Sequence, residues 1–92
     1  MRIDWDKRKN ELNIAKHGID FADVADIFNH PMLTLRDDRL DYGEERWLGV
    51  GWINSLIGVV VYTERSGDVI RIISARKATK NEVRMYEQSI QN

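Results

Sequence analysis

A chain of 92 residues supports one hydrophobic core, so residues 1–92 are read as a single domain. Its 42% hydrophobic and 32% charged residues fit a soluble globular protein and exclude a disordered tail. A net charge of −1 argues against a general nucleic-acid binder, yet it conceals a polarity: residues 1–45 hold 7 basic against 11 acidic side chains, and residues 46–92 hold 7 against 4. Any contact with a polyanion should therefore be local and C-terminal.

Other classes fall away as quickly. No apolar run approaches the roughly 20 residues that span a bilayer, and "MRIDWDKRKNE" is too polar for a secretory leader. With no cysteine there is no disulfide or thiolate chemistry, which fits a reducing cytoplasm.

In chain order, "RIDW" reads as a short first strand or an extended lead-in. Asp6 is placed to cap a helix over residues 7–17, and Gly18 to end it in the left-handed conformation. Asp20 caps a second helix, in which Phe21, Val24, Ala25 and Phe28 fall at i, i+3, i+4 and i+7 before Pro31 closes it. "MLTLRDD" reads as a strand running into the acidic loop "DDRLDYGEE". "RWLGVGWI" is the next strand, and Asn54-Ser55 the turn into "LIGVVVYTER", whose apolar character predicts a central strand. Ser66-Gly67 turns the chain into "DVIRIISAR", making an antiparallel hairpin. Thr79 and Glu82 form a capping box for a last helix with Val83, Tyr86 and Ile90 on its inner stripe. The expected fold is α+β: two N-terminal helices and a C-terminal helix packed on a small, mainly antiparallel sheet of three or four strands.

The candidate functional residues are first the sheet arginines Arg46, Arg65, Arg71 and Arg76. Arginine stays charged, and its rigid fork of donors matches phosphate oxygens, so several on one face would make an anion site. Each alone is as simply explained by pairing with Glu44, Glu45, Glu64 or Asp68. Strict alternation sends Arg71 and Arg76 to opposite faces, although twist or a bulge at the strand's end makes that parity unreliable. His17, at a helix C-terminus, suits the helix dipole, and His30 lies beside Pro31. Neither has a ligand-spaced partner, and a paired-histidine nuclease would require them to meet in space. The acidic loop (Asp37, Asp38, Asp41, Glu44, Glu45) lacks calcium-loop spacing and reads as solvated. Gly49, Gly51 and Gly58 read as strand glycines at bulges or close contacts. Trp5, Trp47, Trp52 and Tyr62 read as core or interface, with one of Trp47 and Trp52 exposed by parity.

"WD" at Trp5-Asp6, "KHGIDFADVADIF" from Lys16, "GEERW" from Gly43, "VVYTERSGDVIRIISAR" from Val60 and "KATKNEVRMYE" to Glu87 together resemble the BrnT toxin family of prokaryotic type II toxin–antitoxin systems, within the RelE/ParE-like superfamily. The resemblance covers most of the chain in the expected order. It implies a RelE-like fold and a cytoplasmic, metal-independent endoribonuclease with no cofactor, which inhibits translation by degrading RNA. It also implies neutralisation by a BrnA-like antitoxin of ribbon-helix-helix type, in a hetero-oligomer that reaches operator DNA only through the antitoxin.

Carried over by position, the family's functional arginines fall at Arg65 in "TER" and Arg76 in "ISAR", with Arg46 in "EERW" a weaker match. Metal-free RNA cleavage needs a base for the 2′-OH proton, a donor to the leaving 5′-oxygen and cations for the charge building on phosphorus. Arg65 and Arg76 suit the last role, with Arg46 and Arg71 as auxiliary phosphate contacts and His17 as a further phosphate-binding candidate. Glu64 is the candidate base, or His17 if it lies close enough to the phosphate. Tyr86 is a candidate donor, although its place on the apolar stripe favours the core. The rival reading is a non-catalytic module of the same fold that acts by binding a protein target.

Overall fold

The computed structural model describes residues 1–91. Five strands form one sheet: β1 (Arg2–Trp5), β2 (Leu33–Arg36), β3 (Trp47–Ile53), β4 (Leu56–Arg65) and β5 (Val69–Lys77), in the spatial order β1-β5-β4-β3-β2. The apolar β4 is central, and the β2-β3-β4-β5 ladder is antiparallel throughout. Asn54, at φ 53°, helps turn β3 into β4, and Gly67 and Asp68, at φ 79° and 59°, turn β4 into β5. Of the two readings of "RIDW", the strand holds: as β1 it pairs in parallel with β5, Arg2 opposite Val69 through Trp5 opposite Ile72, and adds a fifth strand to the antiparallel four.

The capping signals act as read. Asp6 accepts the Lys9 N–H at 3.0 Å to start α1 (Lys7–His17), and Gly18, at φ 70°, returns its N–H to the Ile14 carbonyl. Asp20 caps the second segment, but this is one α turn, α2 (Phe21–Val24), continuing as a 3₁₀ segment over Ala25–Asn29. The tightening has a packing consequence. With three residues per turn, Phe21, Val24 and Ile27 line up and are buried, while Phe28 of the expected 3.6-residue stripe is half-buried. Burying three such side chains contributes roughly 1.5–3 kcal/mol each. The last helix, α3 (Lys80–Ile90), starts on a complete capping box. Val83 and Tyr86 face the core as expected, but Ile90 is 48% exposed.

The sheet has two differently covered faces. Val60 and Tyr62 of β4, with Ile70, Ile72 and Ala75 of β5, pack against Ile19, α2 and the 3₁₀ segment. On the other face Val59 and Val50 pack under Val83 and Tyr86 of α3. Tyr86 donates its hydroxyl to the Pro31 carbonyl at 3.0 Å, which makes it a core anchor and not a proton donor for chemistry. Gly58 leaves room for Ile53, and an added Cβ there would also sit 3.0 Å from the Arg76 carbonyl. Trp52 is 48% exposed and Trp47 half-buried, as their parity predicts. No helix among the described residues is long and apolar enough to cross a membrane.

Two irregularities position the site. Val61 is opposite Ser74 but Tyr62 is opposite Ile72, so Ile73 is an extra residue in β5. This bulge reverses the alternation. Arg71 is opposite Thr63 and Arg76 opposite Val59, so the two arginines share a face, contrary to the straight-strand expectation. The second irregularity is the edge of β5 beyond Ile72, where β1 has ended. There α1 takes over: the buried Asn13 accepts the Ala75 N–H at 3.0 Å and donates to the Ile19 carbonyl at 2.9 Å. Asn10 accepts the Phe21 N–H and donates to Asp20, tying α1 to the next segment.

Candidate functional site

On the face that carries Arg76, α3 covers only part of the sheet. Beside it lies an open cavity of about 420 Å³, floored by Leu48, Val61, Ile73 and Ser74. One wall is α1, whose Lys9, Leu12, Asn13 and Lys16 fall at i, i+3, i+4 and i+7 and so share a helix face, with His17 beside them. Arg39, from the loop between β2 and β3, and Arg76 complete the lining, which contains no carboxylate. Among the described residues neither Lys9 nor Lys16 has an ion-pair partner.

The two arginines are held differently from the lysines. Arg76 donates Nη1 and Nη2 to the two carboxylate oxygens of Glu82 at 2.7 and 2.9 Å, and Nη1 also reaches the Lys77 carbonyl. Glu82 simultaneously accepts the Thr79 N–H at 2.8 Å, so the start of α3 and the aim of Arg76 are one unit. Arg76, and then the Thr79 N–H, hold the Glu82 carboxyl at about 2 against the opposing effect of burial. Glu82 in turn raises the Arg76 pKa, and the nearby Arg39 works against it.

Arg39 rests on Asp37, the one member of the acidic loop that is buried, its side chain 0% exposed. Asp37 accepts from Arg39 Nε and Nη2 at 2.8 Å each, and from the Tyr42 hydroxyl at 3.3 Å. Those bonds, Arg39's first, hold its carboxyl at about 2. The loop is therefore not simply solvated: Arg36 pairs with Asp38 and Glu45, and the Asp37 N–H bonds to the Arg46 carbonyl.

The residues expected from the sequence are divided by this geometry. Arg76 and His17 line the same cavity. Arg65 and Glu64 stand at the end of β4 in a separate depression with Arg2, Asp4 and Glu44, and Arg65 pairs with Glu44 at 3.5 Å. Arg65 is six positions from Val59, the partner of Arg76, hence about 20 Å from Arg76 along the sheet at roughly 3.3 Å per residue. Between them the loop crosses the face, held by Thr63 Oγ1 donating to the Glu45 carbonyl at 3.0 Å. Arg71 pairs with Asp4 at 3.3 Å. Arg46 lies over the Tyr42 ring at 3.9 Å, with its Nε buried and unpartnered.

His17 and His30 do not meet, because His30 bonds to Asp26 and lines a different, more apolar depression with Trp52 and Ile90. Among the described residues no three histidine, cysteine, aspartate or glutamate side chains are grouped to hold a metal ion. The sequence reading passed over Lys9, Lys16 and Arg39. The first two carried a signal in their seven-residue spacing on one helix face, whereas Arg39 had none beyond an acid two residues before it.

A family model described as "Ribonuclease toxin, BrnT, of type II toxin-antitoxin system" matches residues 5–82. The crystal structure of the Brucella abortus ribonuclease toxin BrnT is 32% identical to the chain, covering 87% of it and 99% of its own length with a TM-score of 0.71. No curated protein sequence matches the chain.

Proposed function

Since the chain belongs to the BrnT family of ribonuclease toxins of type II toxin–antitoxin systems, we propose that its 92 residues act as a single-domain, metal-independent endoribonuclease working in the cavity between α1, Arg39 and Arg76. The observation that carries this is the lining itself: Lys9, Lys16, His17, Arg39 and Arg76, from three separate parts of the chain, converge over a floor of Leu48, Val61, Ile73 and Ser74 with no acid among them. Such a surface attracts a polyanion locally despite the net charge of −1.

The chemistry follows from those groups. The 2′-oxygen of a ribose attacks the adjacent phosphorus, the 5′-oxygen of the next nucleotide leaves, and a 2′,3′-cyclic phosphate results. Arg76 stabilises charge on the phosphoryl oxygens, and its fork, fixed by Glu82, requires no reorganisation as that charge develops. Imidazole takes and gives protons near neutrality, and His17 shares the cavity with Arg76, whereas Glu64 does not. His17 is therefore the preferred acid–base group. Arg65 and Arg71 serve as phosphate contacts further along the strand, and Arg46 braces the loop through Tyr42. The consequence in a cytoplasm is RNA loss and inhibited translation. The family's antitoxin partner is proposed to be a BrnA-like ribbon-helix-helix protein that carries the complex to operator DNA.

The test is cleavage of a mixed RNA population in excess chelator by the purified chain. Arg76→Ala and His17→Ala should each slow it by roughly 10²-fold or more; unchanged rates in both would remove this site. Growth arrest on expression with RNA pools intact would instead favour the protein-binding alternative.

A further inference from the structure

We propose that Arg39 is a second RNA-phosphate contact in the cavity that Arg76 also lines, and that the buried Asp37 is the residue that positions it. The inference rests on reading this cavity as the RNA site. Three observations carry it.

The first is the contrast between the partners: the Arg39 side chain is 63% exposed while the carboxylate that holds it is 0% exposed. A buried carboxylate paired to an exposed arginine, with both oxygens occupied, orients the guanidinium at low entropic cost. The second is the donor count. Asp37 occupies Nε and Nη2, so Nη1 lies outside that pair. The third is the mutual placement of the cations, since both arginines line the cavity and Arg39 is close enough to disfavour the charge on Arg76. An anion between them turns that repulsion into two attractions.

The support behind Asp37 is layered. Tyr42 donates to it and carries Arg46 on its ring, and the Asp37 N–H is bonded to the Arg46 carbonyl. Arg46, matched weakly by sequence to a catalytic role, thus acts through this loop. Outside the lining, the carboxylates that hold the two arginines, Asp37 and Glu82, are both held at about 2, so the two guanidiniums remain paired at any physiological pH.

The test uses a single-stranded RNA oligonucleotide with 2′-O-methyl riboses, which lacks the attacking hydroxyl, so binding is read apart from cleavage. Affinity is measured by fluorescence anisotropy across a salt series. Arg39→Gln should lower the slope of log affinity against log salt by about 0.7, the loss of one single-strand phosphate contact, and weaken binding roughly tenfold. Because Arg39→Gln leaves the buried Asp37 without its counter-charge, the double variant Asp37→Asn with Arg39→Gln removes the Arg39 charge together with that buried carboxylate and should show the same slope. Asp37→Asn alone keeps the Arg39 charge, so the wild-type slope should persist while KM for a cleavable RNA rises and kcat changes little. A purely electrostatic role predicts the opposite, tighter binding once an acid is removed. If the wild-type chain binds and cleaves RNA but its salt slope is unchanged in both Arg39 variants, the inference fails and the proposed function stands. A wild-type chain that binds no RNA overturns both.

Discussion

Glu82→Gln probes the joint between fold and site. Glu82 accepts three hydrogen bonds, two from Arg76 and one from the Thr79 N–H. Glutamine keeps the shape and one carbonyl oxygen for the helix cap, but it loses the charge and the paired fork. The Glu82 carboxyl lies at about 2 against an ordinary 4.5. At about 1.4 kcal/mol per tenfold change in proton affinity, that difference sets a ceiling of about 3 kcal/mol. The Glu82 side chain is 22% exposed and its partner 36%, so solvent screening reduces the expected contribution to about 1–2 kcal/mol. At neutral pH the variant should therefore melt roughly 4–15 °C lower for a domain of this size.

The sign with pH is specific. A carboxylate whose pKa is depressed by folding stabilises the native state above its unfolded value and loses that contribution as pH falls through the folded one. The gap between wild type and Glu82→Gln should thus be full above about pH 4.5 and close as pH falls toward about 2. The Asp37 carboxyl is depressed by Arg39 in both proteins and cancels from the difference. Thermal unfolding followed by circular dichroism at pH 7, 5 and 3 measures it. A gap equally wide at pH 7 and pH 3 would refute the ion-pair account and leave only a neutral capping role.

Other expectations concern separate links. Asn13→Ala should cost about 2–4 kcal/mol in denaturant unfolding, because the Ala75 N–H and the Ile19 carbonyl both lose a buried partner; a cost below 1 kcal/mol would mean that water or rearrangement satisfies them. Gly58→Ala should destabilise by about 1–3 kcal/mol, since the new methyl meets Ile53 and the Arg76 carbonyl. The same melting assay checks it, and an unchanged midpoint counts against the close packing described. Lys9→Ala with Lys16→Ala should leave the melting temperature within a few degrees and reduce the salt slope of RNA binding by about 1.4, as two exposed cations leave the cavity.

The local grammar of the fold was legible. Asp6, Gly18, Asp20, Thr79 and Glu82 each perform the capping role their position suggested, because such roles depend on side chains within a few residues of one another. What escaped was set at longer range. The period of three through Phe21, Val24 and Ile27 appears only when the segment is pressed against the sheet. The parallel pairing of β1 joins residues 67 apart in sequence, such as Asp4 and Arg71, and no local pattern encodes it. For the site, Arg76 was found through its motif, and Glu82 was known as a cap. That they hold one another depends on a strand, a turn and a helix start meeting in space. Asp37 was grouped with its acidic neighbours because composition gives no hint that one of them turns inward under Arg39.

The extra residue at Ile73 has a meaning for how this molecule tolerates change. Arg76 opens onto the cavity, and not into the packed side of the sheet, because the ladder leaves Ile73 unpaired after Ile72. If Ile73 instead took a regular place in the ladder, Ala75 and Arg76 would exchange destinations, sending a cation toward the layer occupied by Val60 and Phe21. Deleting that one residue, by contrast, leaves Ser74, Ala75 and Arg76 opposite Val61, Val60 and Val59. The cavity is thus encoded partly as an irregularity of the ladder, and this strand should accept loss of its extra residue more readily than incorporation of that residue into regular pairing.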